Sequence, residues 1–173
     1  MNVKIIRSHK RNKTVSAKVE GDTLHVYAPS DMPEEELSRI VANFTTRLEK
    51  RKLRKELNKT QDLMPTAQKL NKIYFGGGLK IKSIEHTTTL NHAFGSCVKQ
   101  SGKILISHRL SEMPSWVRDY VIVHELAHLV EPNHGEAFWN IVYRYKLAER
   151  AIGYLIAKGL NSDDEQQGAR RNI

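Results

Sequence analysis

One segment, residues 121–139 (VIVHELAHLVEPNHGEAFW), constrains this chain most because it places metal-binding side chains at a defined spacing. His124 and His128 stand four residues apart in a stretch with helical apolar spacing, so on a helix their imidazoles rise from one face, about 6 Å apart along the axis. One zinc ion can bridge that separation, since its nitrogen ligands lie at about 2.0–2.1 Å. His134 can supply a third ligand if the helix ends at Pro132 and the chain turns back. We therefore predict one Zn²⁺ per chain, bound by these three histidines.

Glu125 follows the first predicted ligand and completes the pattern HELAH, an HExxH motif. Its carboxylate would lie beside the metal, where it can take a proton from a zinc-bound water and pass it to a leaving group. We predict Glu125 as the catalytic general base. Three protein ligands leave one position of a tetrahedral site open, which is typical of catalytic zinc and not of structural zinc.

Other readings of the same segment stay open at this point. Glu131, Glu136 and Cys97 are alternative ligands. The two histidines of the motif could also be core residues on a buried helix, but two neutral imidazoles and a carboxylate buried without a metal would be hard to satisfy. Asn133 is expected to orient the loop that presents His134.

The composition is that of a soluble globular protein. A chain of 173 residues with 39% hydrophobic content can bury one real core. Its one cysteine excludes an internal disulfide framework and favours a reducing compartment. No apolar stretch approaches the 18 or so residues that a membrane span needs. We therefore predict a cytoplasmic protein that does not bind a membrane.

Positive charge is concentrated ahead of the motif. Residues 1–60 contain 14 Lys and Arg against 8 Asp and Glu, whereas residues 111–173 contain 7 against 9. This asymmetry makes a nucleic acid or a nucleotide a candidate partner of the N-terminal half. A solvated basic surface is the alternative, since no aromatic residues are interleaved with the charges.

Local patterns predict strands before the first long helix. Residues 2–8, 14–20 and 23–28 read as strands, the last two joined by a hairpin turn at Gly21-Asp22. A helix is expected from Pro33 onward, because three glutamates in its first turn favour the positive end of the helix dipole. The second half of this helix is basic.

Alternating helices and strands are predicted for the remainder. A helix over residues 63–74 precedes a strand at 79–86 and a strand pair at 91–98 and 103–108, followed by the motif helix from Pro114 and two short helices up to Gly159. The predicted domains are 1–60, N-terminal strands and basic helix; 61–160, catalytic core; and 161–173, a disordered tail.

Several segments together resemble one family. They are HELAH and EPNHGEAFW, the preceding FGSC, KILIS and PSWVRDYVIV, and, farther upstream, RNKTVSAKVEGDTLHVYAP. In these segments the chain is similar to the YgjP-like metallopeptidases, relatives of the SprT-like and WLM zincins. The resemblance implies an α+β fold with a minimal zincin-like core: a small, mostly antiparallel sheet packed on the HExxH helix, with an N-terminal strand and helix extension. It also implies that the strand Lys103–Ser107 is a sheet edge that pairs with a peptide.

The predicted substrate contacts follow from that edge. They are Ile104 and Ile106 on the strand, with Gly95 and His108 beside it. The sequence departs from the family pattern where Phe94 replaces a tryptophan and Ser107-His108 replace an Asn-Trp pair, which bears on substrate preference. Glu131 stands where metzincins have glycine, so no metzincin is assigned.

The leading function is zinc-dependent hydrolysis of peptide bonds in a peptide or protein substrate. One alternative is a metal-dependent phosphohydrolase acting on nucleotides, which the basic N-terminal half motivates. Another is a nucleic-acid-associated, SprT-like protease. Tyr120, Tyr143 and Tyr145 are candidate transition-state donors, and His92 or His108 a candidate oxyanion or substrate contact; the sequence does not choose among them.

Overall fold

The structure, a computed structural model, describes residues 2–158. Backbone contacts divide the chain into two compact units, Met1–Leu53 and Arg54–Ile173. The sequence places the first boundary at residue 60 instead, and the domain assignment stays a prediction. The predicted tail, 161–173, lies outside the described residues. Among the described helices, none is both long and apolar enough to cross a membrane.

The first unit contains one mixed sheet and most of one long helix. Its strands are β1 (Asn2–Ser8), β2 (Ser16–Glu20) and β3 (Thr23–Pro29), and its helix is α1 (Glu34–Thr60), which ends in the second unit. The predicted hairpin between β2 and β3 is confirmed as an antiparallel pair, with Gly21 at φ +61° in the turn. The parallel pairing of β1 with β3 was not predicted, and it makes β3 the central strand.

One face of this sheet is buried against α1. Leu24, Val26 and Ala28 alternate along β3 and are fully buried with Leu37 of the helix. This alternation follows from the two-residue period of a strand, which sends every second side chain to the same face. The three glutamates of the first helical turn lie where the sequence predicts them.

The second unit contains a further mixed sheet and four helices. Their bounds are α2 (Met64–Phe75), β4 (Ser83–Thr87), β5 (Gly95–Val98), β6 (Lys103–Ser107), α3 (Ser115–Val130), α4 (Glu136–Val142) and α5 (Ala148–Ala157). The α+β class and the small zincin-like core are thereby confirmed. Each sheet has one parallel and one antiparallel pairing, so neither is mostly antiparallel.

The strands of the second unit are shorter than the sequence predicts. Residues 79–82 and 91–94 carry a strand-like pattern but form no regular strand. Residues 88–94 instead form an irregular connection with several bends between β4 and β5. Alternation alone does not show whether a segment finds a hydrogen-bonding neighbour, which is what defines a strand.

The prediction that Lys103–Ser107 forms a sheet edge is wrong. The strand order is β4-β6-β5, and β6 pairs in parallel with β4 and antiparallel with β5. Hydrogen bonds on both sides leave β6 no free edge for a peptide. β5 is the edge strand next to α3.

The other edge of this sheet, β4, is partly covered. The side-chain amide of Asn58, near the end of α1, donates to the carbonyl oxygen of His86 on β4 at 2.9 Å, and its oxygen accepts from the His86 amide at 2.7 Å. A side chain that satisfies both backbone groups of an edge residue blocks further strand pairing there.

Candidate metal centre

Three histidines converge at the end of α3. One ring nitrogen from each of His124, His128 and His134 lies within 4.8 Å of the other two. The Nε2 atoms of His124 and His134 are 3.1 Å apart. Two imidazole nitrogens bound tetrahedrally to one zinc ion are about 3.3 Å apart, so the spacing fits a shared ion. Among the described residues, no other group of three such side chains is found.

The chain returns to the helix as the sequence predicts. α3 ends at Val130, and Pro132 stands just beyond, where it cannot continue the helix. A tight turn follows, in which the amide of Gly135 donates to the carbonyl oxygen of Asn133 at 2.8 Å. His134 lies inside this turn, and its position therefore depends on where the helix stops.

A buried aromatic ring forms the base of the cluster. Phe138 of α4 is fully buried, and its ring centroid lies 4.8, 4.5 and 4.6 Å from those of His124, His128 and His134. The contact of Phe138 with all three histidines was not predicted from the sequence.

The surroundings favour neutral imidazoles, the form that binds metal ions. Burial lowers the pKa of His124 well below its ordinary value, and the neighbouring His128 and His134 lower it further. His128 has a backbone partner as well, since its Nδ1 lies 3.3 Å from the carbonyl oxygen of Glu131. A metal-binding histidine commonly uses its second nitrogen in this way, which fixes the ring orientation.

Glu125 is buried beside the cluster and lies against Gly95, the first residue of β5. Its exposed fraction is 5%. A Cβ atom built on Gly95 would lie 2.6 Å from both Cγ and Cδ of Glu125, and closer still to Oε1. Only glycine allows this approach.

An open pocket of about 390 Å³ joins Glu125 and His128 to the edge strand. Its lining residues are Leu90, Ala93, Gly95, Ser96, Cys97, Lys99, Glu125, His128 and Pro132. Lys99 donates to the carbonyl oxygen of Val130 at 2.7 Å, which joins the end of β5 to the end of α3. Ser96 and Lys99 were not predicted as site residues, because the sheet edge was expected at β6.

The substrate contacts predicted on β6 do not lie at the pocket. Ile104 and Ile106 are fully buried in the core, because β6 is central and their side chains face its packed side. His108 begins a short 3-10 helix and is not among the residues that line the pocket. Gly95 does line it.

The alternative ligands lie outside the histidine cluster. Glu131, Glu136 and Cys97 form no candidate metal-binding group with it among the described residues. Burial raises the pKa of the Cys97 thiol to about 11, with a further contribution from Glu125, which disfavours the thiolate that a metal needs.

Two other candidate residues are accounted for by local contacts or exposure. Tyr145 donates its hydroxyl to the carbonyl oxygen of Trp116 at 2.9 Å. Burial, then Asp119 and Tyr74, raise the pKa of Tyr145 to about 12. The hydroxyl group of Tyr145 is therefore already engaged in a hydrogen bond to the backbone. His92 is exposed on the connection before β5 and does not line the pocket.

The fold is that of a small zincin-like core, and its site is a candidate metal centre. α3 carries two of the three converging histidines, the next turn carries the third, and a small sheet lies beside them. Residues 76–146, which contain all three histidines and Glu125, match the family model described as YgjP-like, metallopeptidase domain. The resemblance of the sequence to the YgjP-like family is thereby confirmed for this part of the chain, and a metallopeptidase domain supports a metal-dependent hydrolase.

The match covers 71 of the 173 residues and starts after α2. No curated protein and no solved structure matches the chain. The match therefore lies within the second unit and does not extend to the first.

Proposed function

We propose that this protein is a zinc-dependent peptidase that binds one zinc ion through His124, His128 and His134. The observation that carries the proposal is the position of Glu125, buried next to three converging imidazoles and open to the same pocket as His128. A zinc ion bound by such ligands lowers the pKa of a water molecule to about 7 and polarises a carbonyl group.

In this proposal Glu125 moves the proton. Its carboxylate accepts a proton from the attacking water, and the same carboxyl group delivers it to the leaving nitrogen as the peptide C–N bond breaks. The products are a carboxylate and an amine. Gly95 contributes by being small, since its missing side chain lets the edge strand lie against Glu125.

We infer that β5, and not β6, aligns the substrate. β5 is hydrogen-bonded to β6 on one side, and among the described strands no other lies along its second side. Its residues Gly95, Ser96 and Cys97 line the pocket together with Glu125. A peptide added as a further strand would gain backbone hydrogen bonds and bring its carbonyl groups past the glutamate.

The pocket supports peptide hydrolysis over nucleotide hydrolysis. Lys99 is the only cation among the described lining residues, and it already donates to Val130. A triphosphate is usually bound by several cations or by a set of backbone amides. The basic second half of α1 is exposed, but its predicted nucleic-acid or nucleotide partner stays a prediction.

The proposal is tested with Glu125→Gln, which keeps the shape of the side chain and removes its basicity. Zinc-loaded wild type is expected to cleave members of an unstructured peptide library. Glu125→Gln should bind zinc with equal stoichiometry and lose at least about 100-fold in kcat, the scale of general-base catalysis.

Glu136→Gln is the matched control, since this exposed glutamate lies in the first turn of α4 and outside the histidine cluster. It should retain wild-type activity. Equal turnover by Glu125→Gln and wild type would refute the role of Glu125. A wild type that releases phosphate from a nucleotide panel and leaves every peptide intact would refute peptide hydrolysis.

A further inference from the structure

Arg109, on the short 3-10 helix after β6, makes two contacts with the segment that leads into the pocket and one with the end of β6. Its Nη2 donates to the carbonyl oxygen of Ala93 at 2.9 Å. Its guanidinium carbon lies 4.7 Å from the ring centroid of Phe94. Its Nε donates to Ser107 Oγ at 3.2 Å, which fixes the direction of the side chain. One side chain therefore connects the end of β6 to the chain just before β5.

The segment that Arg109 contacts lies directly before the part of β5 that packs against Glu125. Ala93 and Phe94 immediately precede Gly95, which lies against Glu125. Phe94 is buried, and its carbonyl oxygen accepts from the Ser107 amide at 2.7 Å, which extends the pairing of the two strands by one bond. Ala93 itself forms part of the pocket wall.

The contacts are of a kind that positions a loop. A guanidinium combines a planar face for an aromatic ring with several fixed donors, so it holds a ring and a carbonyl group at once. Residues 88–94 form no helix or strand, and few backbone bonds of their own hold them in place. A fixed entry to β5 therefore depends on side chains such as Arg109.

We propose that Arg109 is a positioning residue that, through Ala93 and Phe94, holds the start of β5 against Glu125 and thereby sets the substrate-aligning edge. It touches neither the substrate nor the histidines. The inference rests on the proposed peptidase function for its catalytic consequence, but the positioning itself can be measured without any substrate.

Cys97 provides that measurement. It is the only cysteine of the chain, it lies on β5, and it is half-buried in the pocket wall. In Arg109→Met, which keeps the aliphatic stem and loses the guanidinium, the start of β5 should open more often. Modification of Cys97 by a maleimide under native conditions is expected to be about tenfold faster than in wild type, the scale of one lost charge-assisted hydrogen bond.

Arg150→Met is the matched control. The Arg150 guanidinium carbon lies 4.9 Å from the ring centroid of Trp116, so this variant also loses a cation–π contact in the same unit. Neither Arg150 nor Trp116 lines the pocket. Arg150→Met should label Cys97 at the wild-type rate. Arg109→Lys keeps a donor for Ala93 and should restore most of the protection. If Arg109→Met does not fold, Arg109→Gln, which also loses the guanidinium, is the test variant and should likewise label Cys97 faster than wild type.

Activity supplies a second readout. With a peptide that wild type cleaves, Arg109→Met should lose about 100-fold in kcat/KM. The loss should be larger for a long version of the peptide, which can pair along β5, than for a short one. A defect in stability alone would lower kcat/KM equally for the long and the short peptide.

The outcomes separate the two proposals. Faster Cys97 labelling in Arg109→Met than in Arg150→Met supports the positioning role even when wild type cleaves no peptide, a result that would count against the peptidase function alone. Equal labelling rates in the two variants, with equal melting temperatures, would overturn the positioning role whatever the activity.

Discussion

Gly95 and Glu125 pack so closely that a methyl group on the glycine would lie 2.6 Å from two side-chain carbons of the glutamate. Gly95→Ala therefore has to displace either β5 or Glu125. We expect an overpacking cost of about 1–3 kcal/mol. We also expect a loss of about 100-fold in kcat/KM, because the proposed base and the substrate edge lose their alignment.

Zinc content should not change in Gly95→Ala, since the three histidines are untouched. Gly153→Ala is the control: it makes the same chemical change in α5, where a Cβ meets no atom within 4 Å. This variant should keep full activity and gain up to about 1 kcal/mol, because alanine favours a helix interior. Wild-type activity in Gly95→Ala would show that the close packing has no catalytic importance.

Removal of the loop ligand should weaken metal binding. We expect His134→Ala to raise the dissociation constant for zinc by more than about 100-fold, the upper end of what is seen when only an outer partner of a ligand is removed. Competition with a chromogenic chelator measures the change. His92→Ala removes an exposed histidine of the same unit and should bind zinc as wild type does. Unchanged affinity in His134→Ala would exclude His134 as a ligand.

The edge-blocking contact of Asn58 should contribute to stability. Asn58→Ala leaves the amide and the carbonyl group of His86 without their side-chain partner. We expect a loss of about 1–3 kcal/mol in the free energy of unfolding, measured by urea denaturation. Asn43→Ala, at an exposed position of the same helix, controls for the change in helix propensity and should cost far less. Equal effects would contradict a specific role for the contact.

His86 should make stability depend on pH. Its side chain is 1% exposed, and among the described residues neither ring nitrogen has a hydrogen-bond partner. Burial lowers the pKa of His86, and Arg118 and His108 lower it further. As the pH falls below about 6.5, the unfolded chain therefore binds the proton before the folded chain does. The stability contributed by neutral His86 is present above that pH and is lost as the pH falls towards the folded-state pKa.

His86→Leu removes this imidazole, so the free energy of unfolding should fall less steeply as the pH is lowered. Between pH 7.5 and 5.5, metal-free wild type should lose up to about 1.4 kcal/mol more than His86→Leu, the limit for one proton over one pH unit below 6.5. Urea denaturation of metal-free protein at both pH values measures the difference, and the histidines of the metal site contribute equally to both variants. His92→Leu controls for the loss of an exposed histidine. Parallel pH profiles of wild type and His86→Leu would contradict the prediction.

Local patterns predicted the elements well where a single segment carries its own signal. The glutamates before Leu37 mark the start of α1, and Gly21-Asp22 marks a hairpin. Pro132 marks the end of α3. Each signal acts through the backbone of its own neighbourhood, by the helix dipole, by turn geometry or by a missing amide hydrogen.

The sheet edge could not be predicted in the same way. The sequence around Ile104 and Ile106 alternates as a strand does, and alternation gives the buried face but not the neighbours. Which strand is the edge depends on β4 pairing in parallel with β6, a contact between residues about twenty positions apart. The contact of Phe138 with the three histidines likewise depends on how α4 packs against α3.

The sequence by itself determined that three imidazoles come together. His124 and His128 stand four residues apart on a helix, and His134 follows a helix-ending proline. The spacing on the helix could be predicted because helix geometry is the same wherever a helix forms. Only the tertiary structure decided which residues surround the histidine cluster and Glu125. It placed β5 at the edge, packed Gly95 against Glu125 and set Arg109 against Phe94. These relationships depend on strand order and packing between distant segments, which no local pattern encodes.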